Sequence, residues 1–434
     1  MSVGRLALAL ARGAAGMATA LARGLAGAMA RAAALLVRRA GAPFVLLVVA
    51  ALQLAAQEPE RADSVAPDSA APEARTRVSG YLEHQFSAAH ERGRWTQLDY
   101  DRIRVDLAAQ AGRGTRAAAA AVWQLYRGET RVRLRDQLPS ELGALADTAS
   151  VVLEDRRFVN HAYVAFSAGG VEVTAGKQYL TWGAAWAFNP TELFRPKDLF
   201  EPTYEREGVG ALSARVPLGA LSDFLVAYVP DGPFRTSGKV GRVRGHLAGF
   251  DVSALAAAVY ETPVAAPGDT PAAPERRLVF GGDFSGEALG LGVWAEGTWS
   301  ERAGERWGEA TLGGNATLGD GTLLLLEGYI NGRGNWSEPY SAMAWLQRLA
   351  GDRRSLGRLV VFGSASRQCG DLWRLGVAAL VNPGDGSAAL VPSLSYDFAE
   401  NVELLANGVV SLGRDGTEFG SGTAGGFVRA RVYF

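Results

Sequence analysis

Histidine and cysteine are the side chains from which this sequence could most readily build a catalytic or metal site. There are four histidines, His84, His90, His161 and His246, and one cysteine, Cys369. Only His84 and His90 lie close in sequence, and a single cysteine can form neither an internal disulfide nor a thiolate metal cluster. The sequence motifs of serine hydrolases, zinc proteases and phosphate-binding loops are also missing. The sequence therefore predicts a protein that is not an enzyme and that has no metal and no cofactor.

Charged residues that alternate with apolar residues supply a second kind of chemistry. In Asp101–Ala111, residues such as Ile103 share one face while Arg102 and Arg104 share the other. Successive side chains of a β-strand point to opposite faces, so this pattern is typical of a strand that is apolar on one side and polar on the other. The last segment of the chain alternates in the same way up to Phe434.

The connections between the predicted strands are alternately short and long. Gly319–Gly321 is a short connection, whereas Asn331–Ser355 is a long one. Apolar faces built from small residues, aromatic residues near strand ends and alternating loop lengths are typical of transmembrane barrels. We therefore predict an all-β fold, a transmembrane antiparallel up-and-down β-barrel of about 18 strands, with about 16 as the alternative.

The N-terminal part of the chain differs in composition from the rest. Residues 1–56 contain six arginines and no acidic residue, and they include the apolar run Ala42–Leu52. This run is shorter than the roughly 20 residues of a membrane-spanning helix, and with its basic flank it predicts a secretory signal peptide; a short core helix is the alternative. Residues 57–76 are rich in Pro, Ala and acidic residues, which predicts a disordered periplasmic linker. The barrel is assigned to residues 77–434 and the protein to the bacterial outer membrane.

If the apolar faces contact lipid, the charged faces line the interior of the barrel. An arginine facing the middle of the bilayer would cost about 2–4 kcal/mol, which favours this assignment. The predicted pore-lining residues are Arg102, Arg104, Arg242, Arg244, Glu296, Glu327, Arg374, Arg429 and Arg431. For any one of these residues, the alternative to a role in a solute pathway is a solvated charge on the wall that pairs with an opposite charge. Arg102, Arg104, Arg429 and Arg431 should share one sector of the wall, because the first and last strands become neighbours when a barrel closes.

One long connection has a different pattern. Within Gly176–Phe200, Asn189 and Pro190 fit the start of a short helix that Glu192 could cap. Its aromatic side chains need burial, so we predict that this loop folds into the barrel and narrows the bore; the alternative is a capped turn packed on the rim. The residues assigned to the constriction loop are Lys177, Gln178, Trp182, Asn189, Glu192, Phe194, Lys197 and Asp198. A second short helix is predicted over Tyr340–Ala350, in another external loop.

Three patches of the chain resemble a family of porin-like bacterial outer-membrane barrels. The first comprises Lys177-Gln178, Thr181-Trp182-Gly183, Phe188–Phe194 and Pro196, and it resembles the family pattern R-Q-x-x-x-W-G followed by N-P-T-D-x-F-x-P. The second comprises Asn382–Ser387 with Pro392 and Tyr396, and the third is Glu418–Gly420. Lys177 and Glu192 stand where the family has Arg and Asp, and both keep the charge. The resemblance implies a porin-like barrel and leaves the solute open.

Together these features predict an outer-membrane porin-like channel for small polar solutes, with anionic solutes favoured by the basic stretch of the wall. The alternative is a plugged barrel with a structural, assembly or polysaccharide-binding role at the cell surface. A transporter of hydrophobic compounds is a third hypothesis, and it would need a lateral gap or an apolar path. The expected partners are outer-membrane lipid and lipopolysaccharide, small solutes and further copies of the chain in a homo-oligomer, but not nucleic acid.

Overall fold

The computed structural model describes residues 75–434, apart from residues 92, 112–113, 134–137, 141, 143–149, 196–204, 232–233, 266–271 and 421. The predicted signal peptide and almost all of the predicted linker lie outside the described residues, so these two assignments stay predictions. The strands are β1 Arg75–Glu91, β2 Arg94–Ala111, β3 Thr115–Gly128, β4 Arg131–Arg133, β5 Ser150–Val152, β6 Arg156–Ala168, β7 Val171–Gln178, β8 Val209–Gly219, β9 Ser222–Val229, β10 Gly238–Leu247, β11 Phe250–Glu261, β12 Glu275–Ala288, β13 Leu291–Arg302, β14 Glu305–Thr317, β15 Leu323–Asn331, β16 Leu359–Cys369, β17 Trp373–Asn382, β18 Ser387–Ala399, β19 Val402–Leu412 and β20 Ala424–Tyr433. A helix, α1, spans Ala342–Leu349, and a 3-10 turn spans Phe234–Thr236.

Within the described residues, 18 of these strands form one antiparallel sheet that closes on itself. Each barrel strand pairs with the next along the chain, and β1 pairs with both β2 and β20. The register at this closure places Glu83 opposite Arg102 on one side and opposite Arg431 on the other. The predicted barrel of 18 strands is confirmed. Closure also pairs the backbone groups of the first and last strands, which would otherwise form open edges.

One end of the barrel has tight turns and the other carries most of the long loops. Ala248-Gly249 and Leu289-Gly290 are tight turns in which both residues have positive φ, as two-residue hairpins of the favoured twist require. At the loop end, β13 and β14 are also joined by a tight turn, at Ala303-Gly304, so loop lengths are less regular there than at the turn end.

Two external loops contain secondary structure of their own. The predicted helix over Tyr340–Ala350 is confirmed as α1, which Ser341 caps by accepting the N–H of Ala344. The loop between β3 and β6 contains the small β4–β5 hairpin, which the sequence pattern did not predict. No helix among the described residues is both long enough and apolar enough to cross a membrane.

The outer face of the barrel is apolar and the inner face is polar. In β15, Leu326 faces outward with 63% of its surface exposed, whereas its neighbour Glu327 faces inward and is 1% exposed. The other strands have the same arrangement, and their large exposed apolar side chains include Phe166, Leu212, Val243, Phe280, Leu312, Ile330 and Val377. Such a belt of outward apolar residues matches the hydrocarbon core of a bilayer.

Leu326→Arg should destabilise the barrel in lipid by about 2–4 kcal/mol, because it places a cation in the apolar belt. Reversible unfolding of the full chain from lipid vesicles measures this cost. Leu289→Arg is the matched control, since Leu289 is fully exposed in a turn, and it should change the free energy of unfolding by less than about 0.5 kcal/mol. Equal effects of the two substitutions would contradict the assignment of the belt to lipid.

Candidate functional site: a loop held inside the barrel

The loop between β7 and β8, residues 179–208, enters the barrel and is called L3 below. Its first part is bound to the wall by two inward-facing carboxylates. Glu296 on β13 accepts the backbone N–H groups of Ala184, Ala185 and Thr191 at 2.8, 3.2 and 3.1 Å. The side chain of Glu296 is almost completely covered by L3. This residue therefore faces the interior as predicted, but it serves as an anchor for the loop and not as an open charge in the bore.

Glu327 on β15 is the second anchor. It accepts the backbone N–H groups of Trp186, Ala187 and Phe188 at 2.8, 3.0 and 2.8 Å. It also accepts the indole N–H of Trp294 at 3.0 Å. Hydrogen bonds to a charged acceptor are among the stronger ones in proteins. Because one carboxylate satisfies several consecutive amides, the loop keeps an irregular backbone inside the barrel without leaving those N–H groups unpaired.

The residues of the N-P-T-E segment give L3 its local shape. Asn189 donates its side-chain N–H to the carbonyl of Ala185, and the hydroxyl of Thr191 donates to Glu296. The indole N–H of Trp182 donates to the carbonyl of Thr191 at 2.6 Å. Gly183 has a φ of +98°, and a Cβ there would lie 2.5 Å from a carboxylate oxygen of Glu296. Glycine is therefore required at this position for L3 to approach its anchor.

The short helix predicted to begin at Pro190 is not formed in the described part of L3. The segment makes a single turn, in which the N–H of Glu192 donates to the carbonyl of Asn189. The two side chains expected to cap the helix have other partners, since Asn189 bonds to Ala185 and Glu192 pairs with Arg206 at 2.7 Å. Tertiary contacts have thus replaced the local capping that the sequence favoured.

Apolar contacts fix L3 against a wide sector of the wall. Phe188 stacks on Tyr329 of β15, with ring centroids 4.4 Å apart and planes at 4°. Trp182 packs with Val240 and Val279 in a buried cluster, and Phe194 lies against its edge. The packing of Phe188 and Phe194 agrees with the prediction that the aromatic side chains of this loop find shelter, whereas Trp186 is 56% exposed.

The far end of L3 contacts the opposite sector. Glu205 accepts a hydrogen bond from the hydroxyl of Tyr81 on β1 at 3.0 Å, and it also pairs with Arg104 on β2. Arg104 binds Asp106 as well, at 2.7 Å. L3 is therefore tied to the β13–β15 wall near its start and to the β1–β2 wall near its end.

A basic cluster, which we call the Glu83 cluster, lies on this second sector. Glu83 on β1 pairs with Arg102, Arg429 and Arg431, with N–O distances of 3.3, 3.6 and 2.5 Å. The arginines predicted to meet across the closure are thus brought together, with Arg104 beside them. Glu83 itself was missed, although it alternates with Tyr81 and Gln85 in a pattern that could have assigned it to the inner face.

The Glu83 cluster separates two cavities along the inner wall. One, of about 690 Å³, lies toward the turn end and is lined by Arg77, Tyr81, Arg104 and Phe434 among others. The other, of about 580 Å³, lies toward the loop end; we call it the outer cavity. On β1, Tyr81 belongs to the first cavity and Ser87 to the second, so Glu83 lies between them.

Most of the other interior charges form ion pairs. Arg302 and Arg333 both bind Asp352, at 2.6 and 3.0 Å, and Arg277 binds Glu261 at 3.0 Å. These arginine–carboxylate ladders match the paired charges of the alternative, but their arginines are buried and not solvated.

The remaining predicted pore residues contact neither L3 nor the Glu83 cluster in the hydrogen bonds and ion pairs of the described residues. Arg242 lies 3.5 Å from Asp283, and Arg244 pairs with Asp223 at 2.7 Å. Arg374 is exposed near the turn end, where it donates to Gln368 at 3.3 Å.

The predicted constriction residues are divided between two faces. Gln178 points inward and bonds to the carbonyl of Ala211 at 2.9 Å. Lys177 precedes it on β7 and points to the other face, where it pairs with Glu207 at 3.0 Å. The assignment of Lys177 to the constriction was therefore wrong, because side chains alternate along the strand and Gln178 occupies the inner face. Lys197 and Asp198 lie outside the described residues.

A second set of buried carboxylates ties the external loops together. Glu418 accepts the N–H groups of Leu356 and Gly357 at 2.8 and 2.9 Å and the side-chain N–H of Asn382 at 2.9 Å. Asp385 accepts the N–H of Glu418 at 2.8 Å. Burial raises the pKa of Glu418 above its usual value, and the hydrogen bonds and Arg348 reduce that rise. The patches Asn382–Ser387 and Glu418–Gly420 thus meet in one network.

A closed antiparallel barrel with an apolar belt, and with a loop bound inside a charged interior, defines a transmembrane barrel of the porin type. Solved structures with this fold include OccAB1 of Acinetobacter baumannii, at 10% identity and a TM-score of 0.53, covering 83% of this chain and 96% of that one. OccK5 (OpdH) of Pseudomonas aeruginosa is similar at 6% identity and a TM-score of 0.53, covering 83% and 98%. OccK11 (OpdR) of the same organism is similar at 9% identity and a TM-score of 0.50, covering 83% and 96%. None of the family models and none of the curated protein sequences compared with the chain matches it.

Glu327→Ala should release L3 from β15. The substitution leaves three backbone N–H groups and one indole N–H without their acceptor, at a cost of about 1–3 kcal/mol for each donor that stays buried. We expect a larger and noisier single-channel current in planar bilayers, because the loop moves away from its wall. Glu301→Ala is the control, since Glu301 is a half-exposed rim residue paired with Arg306. Identical currents from both variants and the wild type would show that Glu327 does not hold the loop.

The external network of Glu418 should weaken as the pH rises. A carboxyl whose pKa is raised by folding stabilises the folded form below its unfolded pKa, and that contribution is lost as the pH rises through the folded pKa. Hydrogen-exchange protection of the Leu356 and Gly357 amides, corrected for intrinsic exchange, should therefore fall from mildly acidic to alkaline pH. Glu418→Gln should remove this dependence. If protection of these amides in the wild type does not depend on pH, the pKa of Glu418 is not raised by folding.

Proposed function

We propose that the protein is an outer-membrane channel for small polar solutes and that it favours anionic ones. The observation that carries this proposal is the Glu83 cluster between the two cavities, where Arg102, Arg429 and Arg431 surround one carboxylate. A solute passing along this sector of the wall meets an excess of positive charge. Rings of basic side chains are a common basis of anion preference in pores.

The size of the effect follows from Coulomb's law. One uncompensated positive charge about 8 Å from a permeating ion contributes on the order of 2 kcal/mol at an effective dielectric constant of about 20. This favours an anion and disfavours a cation by similar amounts. The paired ladders elsewhere, such as Arg302 with Asp352, contribute less because their charges cancel locally. The cluster is therefore the part of the wall best placed to select by charge.

L3 supplies selection by size in this proposal. The described parts of L3 are held at β13 and β15 near its start and, through Glu205, at β1 and β2 near its end. A solute would pass between the loop and the Glu83 cluster. The apolar belt is proposed to contact outer-membrane lipid, with lipopolysaccharide in the outer leaflet, and the barrel is proposed to assemble with further copies of itself.

A plugged barrel with a structural or polysaccharide-binding role is the second candidate. It is favoured by the attachment of L3 to two opposite sectors of the wall, which leaves little room for a wide bore. Conductance in planar bilayers distinguishes the two functions. Discrete ion-conducting steps from the folded full chain support the channel, whereas an electrically silent barrel would reject the channel and favour the plug.

Arg431→Gln should lower the anion-to-cation permeability ratio by at least about tenfold, because it removes one positive charge that favours the anion and disfavours the cation. Glu83→Gln should raise the ratio, since it removes the opposing carboxylate. Reversal potentials in a salt gradient measure both changes. Opposite shifts from two substitutions in one ion pair separate charge selection from general damage to the barrel.

Arg306→Gln is the matched control for these two variants. Arg306 is exposed and pairs with Glu301 at the rim, away from the Glu83 cluster. The reversal potential should stay at the wild-type value. Shifts of the same sign in all three variants would reject the cluster as the selective element.

A further inference from the structure

The two cavities beside the Glu83 cluster differ in their charge. The lining of the outer cavity contains four arginines and four carboxylates, so its formal charge is balanced. The cavity toward the turn end, which we call the inner cavity, has an excess of two positive charges. Its charged lining residues are Arg77, Arg104, Arg206 and Arg431, with Asp106 and Glu205.

The ion pairs that reach beyond the lining of the inner cavity do not remove this excess. Arg206 pairs with Glu192, and Arg431 pairs with Glu83, which together add two carboxylates to the network. Glu83 also pairs with the two other arginines of its cluster, which add two positive charges. The network as a whole therefore keeps an excess of two positive charges. Such an excess attracts a doubly charged anion more strongly than a singly charged one.

Two arginines of the inner cavity have N–H groups that no described residue binds. Arg77 is exposed on the inner face of β1, four residues before Tyr81, and it makes no hydrogen bond or ion pair within the described part of the chain. Arg206 is half-buried and reaches its acceptors among the described residues through Nη1 alone. Ser79 and Thr181 add hydroxyl groups to the lining. The cavity thus offers accessible donors to a bound molecule.

These two arginines come to the inner cavity from different elements. The hydrogen bond from Tyr81 to Glu205, at 3.0 Å, ties β1 to the end of L3, and Arg206 follows Glu205 directly. The wall and the loop therefore each supply one guanidinium group to the same cavity. Arg104 and Arg431 are already bound to carboxylates, so they contribute positive charge more than free donors.

We propose that the inner cavity binds the phosphate group of a phosphate monoester between Arg77 and Arg206. Such a group carries a charge of about −1.5 to −2 at pH 7 and has three acceptor oxygens. This charge matches the excess of the cavity, and a forked guanidinium group can donate to two phosphate oxygens at once. The volume of about 690 Å³ leaves room for the organic part of the ester. The inference deepens the proposed function, on which it rests, because it names a class of anion that the channel binds.

Other small anions match the inner cavity less well. A monocarboxylate carries one negative charge, which leaves one positive charge of the cavity without an opposite charge. A dicarboxylate has the same total charge as a phosphate monoester, but it divides that charge between two groups with two oxygens each. The most informative comparison is therefore between a phosphate monoester and a dicarboxylate, both of them fully ionised.

Arg77→Gln tests this site in the full-length barrel. Titration calorimetry at about pH 8 measures the affinities for glycerol 3-phosphate and for succinate, and we expect the wild type to bind glycerol 3-phosphate at least about tenfold more tightly. Arg77→Gln should weaken the binding of glycerol 3-phosphate by at least about tenfold, because it removes charged hydrogen bonds. Thermal stability should not change, since Arg77 is exposed and has no partner within the described part of the chain.

Arg131→Gln is the matched control. Arg131 is an exposed arginine that lines the outer cavity, where it donates to the hydroxyl of Ser150 at 3.1 Å. The substitution removes the same charge as Arg77→Gln but from the balanced cavity. This variant should bind glycerol 3-phosphate with the affinity of the wild type.

Three results would overturn the inference. Absence of glycerol 3-phosphate binding by a wild-type barrel that conducts anions would reject the phosphate site and leave the channel function intact. Equal affinity for glycerol 3-phosphate and succinate would show that the cavity recognises charge alone. Wild-type affinity in Arg77→Gln would show that phosphate binds elsewhere. Binding of glycerol 3-phosphate that depends on Arg77, in a barrel that does not conduct, would instead reject the proposed channel and retain the site.

Discussion

The interior of this barrel depends on six backbone N–H groups of L3 that donate to Glu296 and Glu327. A loop can remain inside a barrel only if its backbone groups find partners there, because an unpaired buried amide costs as much as a whole hydrogen bond contributes. Two inward-facing carboxylates, on strands separated by β14, satisfy this constraint for the first part of L3. The aromatic packing of Phe188 and Trp182 then adds apolar contact to a backbone that is already held.

This constraint also divides the interior into two functional sectors. The β13–β15 sector is covered by the loop, so its charges serve to position L3. The β1, β2 and β20 sector keeps the Glu83 cluster between two cavities, and we propose that its excess of positive charge acts on a passing solute. The same residue types therefore have different roles, and what distinguishes them is whether L3 lies over them.

The sequence predicted the barrel well because the alternation of apolar and polar residues identifies each strand without knowledge of the strands that pair with it. Leu326 and Glu327 show the reason, since lipid and the interior impose opposite requirements on adjacent residues.

Residues of L3 were harder to predict. Asn189 and Glu192 have the local signature of a helix start, but Ala185 and Arg206 compete for their side chains. The partners of Glu296 lie more than 100 residues away along the chain, so inspection of its own strand could assign its face but not its function. Lys177 was misassigned because a motif that spans a strand and a loop does not specify which face each residue takes.

The closure of the barrel has a consequence for how the protein assembles. Glu83 and Arg431 are separated by 348 residues, and the ion pair between them can form only after the last strand has joined the first. Until then, Arg429 and Arg431 lack Glu83; Glu403 of β19 lies opposite Arg431 in register, but Arg429 is opposite Leu405, and its burial would be unfavourable. The ion pairs between Glu83 and the arginines of β20 therefore stabilise only the complete barrel. Intermediates with an unjoined seam would keep Arg429 and Arg431 hydrated, so these side chains become buried inside the barrel only when the last strand has joined the first.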